Sequence, residues 1–170
     1  MATDQLWAPW RLAYVTGDSP DGCPLCAKPA SEDDRASLVV YRGEHCCVIL
    51  NLYPYNPGHL MVIPYRHVGD LTELTDAELH ESTQLLSTSI TVLRQAMGRG
   101  PDGFNVGLNL GSGSGAGIPD HLHWQIVPRW QGDTNFMPVL ADTKVIPQHL
   151  DTTWKLVHEG FTTMTGGSHA

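Results

Sequence analysis

Three polar residues recur at every second position late in the sequence, where His121, His123 and Gln125 alternate with apolar residues. Alternate residues of a β-strand share one face, so the pattern predicts that the three polar side chains lie on one side of a sheet. A neutral imidazole can act as a nucleophile or as a metal ligand near neutral pH. A half-exposed strand whose histidines are merely solvated gives the same pattern, so the neighbouring residues must decide between the two.

A glycine-rich loop leads into this strand. Residues 111–117 alternate glycine with serine or alanine. Glycines let a backbone approach a ligand closely, and successive amide groups can converge on an anion. An imidazole beside a bound phosphate would be a nucleophile for group transfer. The alternative is a flexible hairpin connection without a ligand.

A second chemical motif is the pair Cys23 and Cys26, spaced as Cys-x-x-Cys. This spacing places two soft thiolates within reach of one tetrahedral zinc, which then needs two ligands from elsewhere. A redox pair is the alternative, although no thioredoxin-like βαβ pattern surrounds it and Pro24 and Leu25 are predicted to lie in a turn. Residues 46–50 form an apolar run, so Cys46 and Cys47 are predicted to be buried and chemically inert.

The elements that position these residues begin with a meander and a long helix. Short apolar runs are separated by turn-forming residues, as is typical of antiparallel strands. Thr75 and Glu78 form a capping box, apolar residues then recur at helical spacing, and Gly98 ends the pattern. The predicted strands cover residues 38–41, 46–52 and 59–63, and the helix begins at residue 75.

Two further strands, residues 104–110 and 121–127, flank the glycine-rich loop, and Pro128 is predicted to end the second. A C-terminal helix is predicted over residues 150–161, followed by a flexible tail over residues 162–170. The fold class is therefore α+β, an antiparallel sheet with a long helix packed on it and a short C-terminal helix. A length of 170 residues fits one domain, residues 1–170.

Composition and charge exclude several functional classes. The formal net charge of -8, with ten lysines and arginines, argues against binding to nucleic acid or to an acidic membrane. No basic segment followed by an apolar run opens the sequence, and no stretch approaches the roughly 20 apolar residues of a membrane span. The sequence therefore predicts a cytoplasmic protein.

Together these motifs resemble the histidine-triad (HIT) superfamily, whose signature is His-x-His-x-His, and specifically its His-x-His-x-Gln branch, as in galactose-1-phosphate uridylyltransferases. Residues 7–11 and 132–136 resemble a microbial branch described as diadenosine-tetraphosphate-phosphorylase-like. The resemblance covers most of the sequence. It is carried by residues 7–11, 23–26, Asn51, 57–59, Asn109 with the glycine-rich loop, 121–125, 127–130 and 132–136.

The resemblance implies a role for each site residue. His123 matches the middle histidine, which attacks the α-phosphorus and forms a nucleotidyl-histidine intermediate. Gln125 would donate a hydrogen bond to a phosphoryl oxygen, and it cannot carry a titratable proton near neutral pH. Independently of the resemblance, Arg129 and Lys144 could contact the distal phosphates or the acceptor, although surface cations are more often merely solvated. The implied nucleotide-binding residues are Asn51, which would hold the ribose hydroxyls, His59, and the phosphate contacts Asn109, Gly111, Ser112 and Ser114.

The resemblance also supplies the remaining zinc ligands, His67 and His121, which would join Cys23 and Cys26. Four protein ligands make a closed site, so the zinc would be structural. It would pin an N-terminal arm, residues 1–30, to the segment that carries His123. Whether magnesium accompanies the nucleotide stays open.

The resulting prediction is a nucleotidyltransferase that cleaves dinucleoside polyphosphates, with inorganic phosphate as the acceptor. Relatives with glutamine at the third motif position transfer nucleotidyl groups to phosphate-bearing acceptors, which favours phosphorolysis. Family members generally form two-fold homodimers, so the resemblance implies one here. The alternatives are a HIT-type hydrolase of dinucleoside polyphosphates or nucleoside phosphoramidates, and a nucleotide-binding sensor without catalytic activity.

Overall fold

The computed structural model of the protein describes residues 22–133 and 148–166. Within these ranges five strands form one antiparallel sheet in the order β1-β2-β3-β5-β4. The long helix and the C-terminal helix pack against each other and against this sheet. The strands are β1 (Val39–Arg42), β2 (Cys46–Leu50), β3 (Leu60–Pro64), β4 (Gly103–Gly107) and β5 (Trp124–Arg129), and the α-helices are α1 (Pro24–Ala30), α2 (Asp34–Ser37), α3 (Asp76–Ala96) and α4 (Leu150–Thr165).

The two central strands, β2 and β3, are buried along their whole length. They pair from Cys46 opposite Pro64 to Leu50 opposite Leu60. Both faces of the sheet are covered, which explains why these strands are continuously apolar rather than alternating. On one face alternate residues pack against α3 and α4, and on the other face they pack against Leu25 of α1. Cys46 and Cys47 lie on opposite faces, and burial raises the pKa of each thiol to about 12, as expected of inert cysteines.

Helix α3 begins where the capping box predicts. The Thr75 hydroxyl accepts the backbone N–H of Glu78, and the Glu78 carboxylate accepts the backbone N–H of Thr75. Apolar residues at helical spacing then contact the sheet. Gly58 makes room for Leu93, because a Cβ added at Gly58 would lie 2.9 Å from a methyl group of Leu93. The long helix packed on the sheet is therefore confirmed.

Two predictions based on proline are wrong. Pro24 and Leu25 open helix α1 instead of lying in a turn, because proline suits the first turn of a helix, where its missing N–H has no partner to lose. Pro128 lies within β5 opposite Phe104 instead of ending the strand. The pairing of β5 with β3 ends at Ile126, so no ladder bond requires an N–H at Pro128 on that side.

Helix α4 extends four residues beyond the predicted end at Phe161, so the tail cannot start at residue 162. Hydroxyls of three threonines in the last turns donate to carbonyl oxygens four residues earlier. Gly166 ends the helix in the left-handed conformation. In the described ranges no helix is both long and apolar enough to cross a membrane. Residues 7–11, Lys144 and residues 167–170 lie outside the described residues.

Candidate active site and metal centre

Four sulfur and nitrogen donors converge where the start of α1 meets the loops that follow β3 and precede β5. The structure brings together all four residues predicted as ligands, with every ligand atom within 4.8 Å of the others. Nδ1 of His121 lies 3.3 Å from Sγ of Cys23 and 3.3 Å from Sγ of Cys26. Nδ1 of His67 lies 3.3 Å from Sγ of Cys26. Zinc bonds of about 2.3 Å to sulfur and about 2.0 Å to nitrogen in a tetrahedron separate S and N by about 3.5 Å, so the spacing suits such a metal.

The protonation chemistry of this cluster also suits a cation. Nε2 of the fully buried His121 lies 3.0 Å from the carbonyl oxygen of Pro64. A carbonyl oxygen only accepts, so Nε2 carries the proton and the lone pair of Nδ1 is directed at the thiols. Burial lowers the pKa of His121, which keeps the ring neutral. Burial and the adjacent Cys23 raise the pKa of Cys26, and a cation would stabilise both thiolates. The cluster can therefore hold a metal ion.

The two loops that present His67 and His121 are joined directly. The backbone N–H of Leu122 donates to the carbonyl oxygen of Val68 at 2.6 Å. Gly69 permits this approach, since a Cβ there would lie 3.1 Å from the carbonyl oxygen of Pro119. Gly69 was missed at the level of sequence because no motif marks it, and its importance depends on a contact between distant segments.

His123 lies next to the candidate metal ligand His121 and just before β5. Strand β5 begins at Trp124, not at residue 121 as predicted, because the preceding segment bonds to the loop at Val68 instead of extending the ladder. His123 is 7% exposed, and its Nδ1 lies 2.8 Å from the carbonyl oxygen of His121. Nδ1 therefore donates to that carbonyl, and the lone pair of the neutral ring is on Nε2. This is the tautomer that a nucleophilic histidine requires.

Gln125 is half-buried on β5 and pairs with Met61 of β3 and Gly107 of β4. Met61 belongs to the cluster on the sheet face opposite α3. Neighbouring residues in register share a face, so Gln125 lies on the α1 side of the sheet, whereas Trp124 and Ile126 pack with the core on the α3 side. The predicted alternation around Gln125 is therefore correct.

Asn51 and His59 lie at the two ends of the turn between β2 and β3. The Asn51 side-chain oxygen accepts the N–H of Tyr53 at 2.9 Å. Nδ1 of His59 accepts the N–H of Tyr55 at 3.1 Å, and the Tyr55 ring stacks on it with centroids 5.1 Å apart. His59 is fully buried. Both predicted nucleotide contacts therefore also have a structural role in shaping this turn.

The glycine-rich loop is exposed and contains a short turn of 3-10 helix, Ser112–Ser114. Gly111 and Gly115 have φ values of +71° and +78°, a conformation that favours glycine. The Ser114 hydroxyl donates to the carbonyl oxygen of Gly111 at 2.7 Å. Exposed backbone on both sides of this turn is compatible with a phosphate cradle, while Ser114 is partly committed to the loop itself.

Arg129, one of the two cations that could contact the distal phosphates or the acceptor, forms an ion pair within the protein. Its guanidinium donates to both carboxylate oxygens of Asp133, at 2.6 and 2.8 Å, and to the side-chain oxygen of Asn105 at 2.9 Å. This guanidinium holds the pKa of Asp133 well below its usual range. The same carboxylate accepts a bond from the buried Asn56. Three of the five guanidinium N–H donors are thus engaged within the protein, which leaves Arg129 less available to a phosphate.

Comparison with known proteins identifies relatives of this chain. The model of the HIT domain matches residues 32–132. An AP-4-A phosphorylase from Mycobacterium tuberculosis is 44% identical over 161 residues, which cover 90% of this chain and 82% of that protein.

Solved structures with the same fold include a Zn-bound histidine triad family protein from Mycobacterium smegmatis. It has a TM-score of 0.64 at 22% identity and covers 86% of this chain and 98% of its own. A uridylyltransferase mutant has a TM-score of 0.66 at 20% identity, covering 90% of this chain and 50% of its own. These likenesses concern the fold, and the predicted HIT-like α+β architecture is confirmed.

Proposed function

The chain belongs to the histidine-triad (HIT) family, and on that premise we propose that it is a nucleotidyltransferase that cleaves dinucleoside polyphosphates with inorganic phosphate. Diadenosine tetraphosphate is the substrate we propose, in keeping with the name of the relative from Mycobacterium tuberculosis, an AP-4-A phosphorylase. The observation that carries the proposal is the bond from Nδ1 of His123 to the carbonyl oxygen of His121, which leaves Nε2 free for attack.

The proposed first step is attack by Nε2 of His123 on the α-phosphorus of the substrate. An N–P bond forms, the bond from that phosphorus to the bridging oxygen breaks, and ATP leaves with the electron pair. The ring keeps its Nδ1 proton and becomes positively charged, and the carbonyl oxygen of His121 stabilises that charge. A covalent intermediate divides one difficult displacement into two easier ones.

The second step transfers the adenylyl group to inorganic phosphate and yields ADP. An oxygen of phosphate attacks the same phosphorus, the N–P bond breaks, and the electron pair returns to Nε2 of His123. Phosphate is already ionised and needs no general base, whereas water does. Gln125 can donate to a phosphoryl oxygen but cannot remove a proton, which favours phosphate over water as acceptor. Nucleotide contacts are assigned to Asn51, His59, Asn109, Gly111, Ser112 and Ser114.

We assign Cys23, Cys26, His67 and His121 to a structural zinc. When bound, zinc would supply a fixed tetrahedral link between the start of α1 and the two histidine loops, with no open position for water. Among residues 22–133 and 148–166 no other group of three or more potential metal-binding side chains occurs. Sulfur and nitrogen donors do not suit magnesium, which prefers oxygen.

A homodimer and a cytoplasmic location remain predictions from sequence and resemblance. Strand β4 is an edge of the sheet, and Val106 on it is exposed, which is compatible with pairing between two copies.

Phosphate dependence tests the reaction. The protein is incubated with diadenosine tetraphosphate, with and without ³²P-labelled inorganic phosphate, and the nucleotides are separated. We expect repeated turnover to ATP and ADP only when phosphate is present, with the label in the β-phosphate of ADP, and without phosphate no more than one ATP per active site. Equal rates without phosphate, with AMP as product, would establish hydrolysis instead. Tight nucleotide binding without any product would identify a sensor.

A further inference from the structure

His67 differs from the other three ligands of the metal cluster in its support. It is exposed, whereas His121 is fully buried and the two cysteines are partly buried. Cys23 and Cys26 are held by the first turn of α1, and His121 is held by its bond to the carbonyl oxygen of Pro64. His67 follows the end of β3 by three residues and lies in a loop. Something besides the sheet must therefore fix its position.

The residue beside it, Arg66, is fixed by the start of helix α3. Nε and Nη2 of Arg66 each donate to the Glu78 carboxylate at 2.7 Å. Nη2 also donates to the backbone carbonyl oxygen of Glu73 at 2.8 Å. A guanidinium bound through two parallel N–H groups has little freedom to rotate. The backbone at residue 66 is thereby tied to α3 and to the turn that precedes it.

Glu78 is more than a helix cap. The Glu78 carboxylate accepts the backbone N–H of Thr75 at 2.8 Å, as the capping box requires, and it also accepts the Thr75 hydroxyl at 2.9 Å. The Glu78 residue is only 4% exposed. A carboxylate buried to this extent needs a positive partner. Its partner is Arg66, which is adjacent to the proposed ligand His67. The Glu78 carboxylate therefore contributes both to the capping of α3 and to the placement of the loop that carries His67.

We infer that Glu78 is a positioning residue for the metal centre, which holds His67 in reach of the two thiols through its paired bonds to Arg66. This inference rests on the proposed zinc site. Adjacent Cα atoms are about 3.8 Å apart, so fixing residue 66 restricts the space that residue 67 can sample. Loss of the pairing leaves three ligands in place and the loop of the fourth held only on one side, by the bond from Leu122 to Val68.

Zinc affinity is the readout that a merely structural role would not change. The full-length protein is titrated with zinc in competition with a chromophoric chelator, as the parent chain and as Glu78→Gln. The matched control is Glu81→Gln, one turn further along α3. Glu81 accepts the backbone N–H groups of residues 44, 45 and 46 at 2.7, 2.6 and 2.7 Å, so its replacement also weakens a link between α3 and the sheet. Arg66→Lys provides a second variant, which keeps the charge and removes the two-pronged geometry.

Glu78→Gln should weaken zinc binding about tenfold or more, a loss typical of groups that orient a metal ligand. Arg66→Lys should weaken it in the same direction, and Glu81→Gln should leave it within about twofold of the parent. Cobalt(II) in Glu78→Gln should show weaker visible bands as the fourth ligand is lost. Unchanged zinc affinity in Glu78→Gln and Arg66→Lys overturns the inference, as does an equal loss in Glu81→Gln. A parent chain that binds no zinc overturns the metal site itself.

Discussion

Nδ1 of His123 lies 2.8 Å from the carbonyl oxygen of His121, the residue that also directs its own Nδ1 at the two thiols of the metal cluster. The two histidines therefore use opposite ring nitrogens for their hydrogen bonds to carbonyl oxygens. His121 donates through Nε2 to Pro64, and His123 donates through Nδ1. His121 thus connects the candidate metal site with the proposed nucleophile, because its backbone carbonyl group fixes the orientation of the His123 ring.

Removal of a cysteine ligand should release the metal and destabilise the chain. Cys23→Ser and Cys26→Ser should each copurify without zinc. A metal that binds only the folded state stabilises that state, so a chelator should lower the melting temperature of the parent far more than that of either variant. Metal content is measured by elemental analysis and stability by thermal unfolding. Cys47→Ala is the matched control, since Cys47 is a buried cysteine that is not one of the four candidate ligands, and it should retain one zinc per chain. A full equivalent of zinc in Cys23→Ser would contradict the assignment.

Gln125→His should shift the reaction from phosphorolysis towards hydrolysis. A histidine at this position can take a proton from water, which glutamine cannot do. General base catalysis contributes about 10²-fold or more, so the ratio of AMP to ADP at fixed phosphate should rise by about tenfold at least. Gln125→Ala is the control. It should lower both products together by about 10²-fold, as for the loss of one donor to a developing oxyanion. An unchanged product ratio in Gln125→His would show that the acceptor is selected elsewhere.

The contribution of Glu78 to stability should disappear in acid. The Arg66 guanidinium lowers the pKa of Glu78 from an ordinary 4.5 to about 2. Because the pKa is lower in the folded state, the stabilisation is complete above pH 4.5 and is lost as the pH falls from there towards 2. Urea unfolding of the parent and of Glu78→Gln, with chelator present throughout, measures the difference in unfolding free energy. That difference should shrink across this interval, and a constant difference would contradict the pairing.

The sequence predicted the parts of the fold that depend on local patterns. The capping box at Thr75 located the start of α3, and the continuous apolar runs located β2 and β3. Proline was misleading at Pro24 and Pro128, where it predicts a turn and a strand end. Proline is also compatible with the start of a helix, as at Pro24, and with a strand position whose N–H forms no ladder bond, as at Pro128. The outcome there depends on neighbouring segments, which a local pattern does not contain.

The candidate site likewise contains some residues that a local pattern identifies and others that it does not. Spacing alone selected Cys23 and Cys26, and resemblance to the family was needed for His67 and His121, which lie far away in sequence. The bond between Leu122 and Val68, and the engagement of Arg129 by Asp133, are contacts between separate loops that no motif indicates. The hydrogen-bond partners of a histidine ring determine its tautomer, so the tautomer of His123 could be assigned only from the structure.

The central claim is tested most directly by trapping the covalent intermediate. The protein is mixed with diadenosine tetraphosphate without phosphate, quenched in basic denaturant, which preserves an N–P bond, and analysed by peptide mass spectrometry. We predict an adenylyl group on His123 that is absent in His123→Ala and is converted to ADP when phosphate is added before the quench. Turnover without any adduct, or an adduct on another residue, would contradict the account.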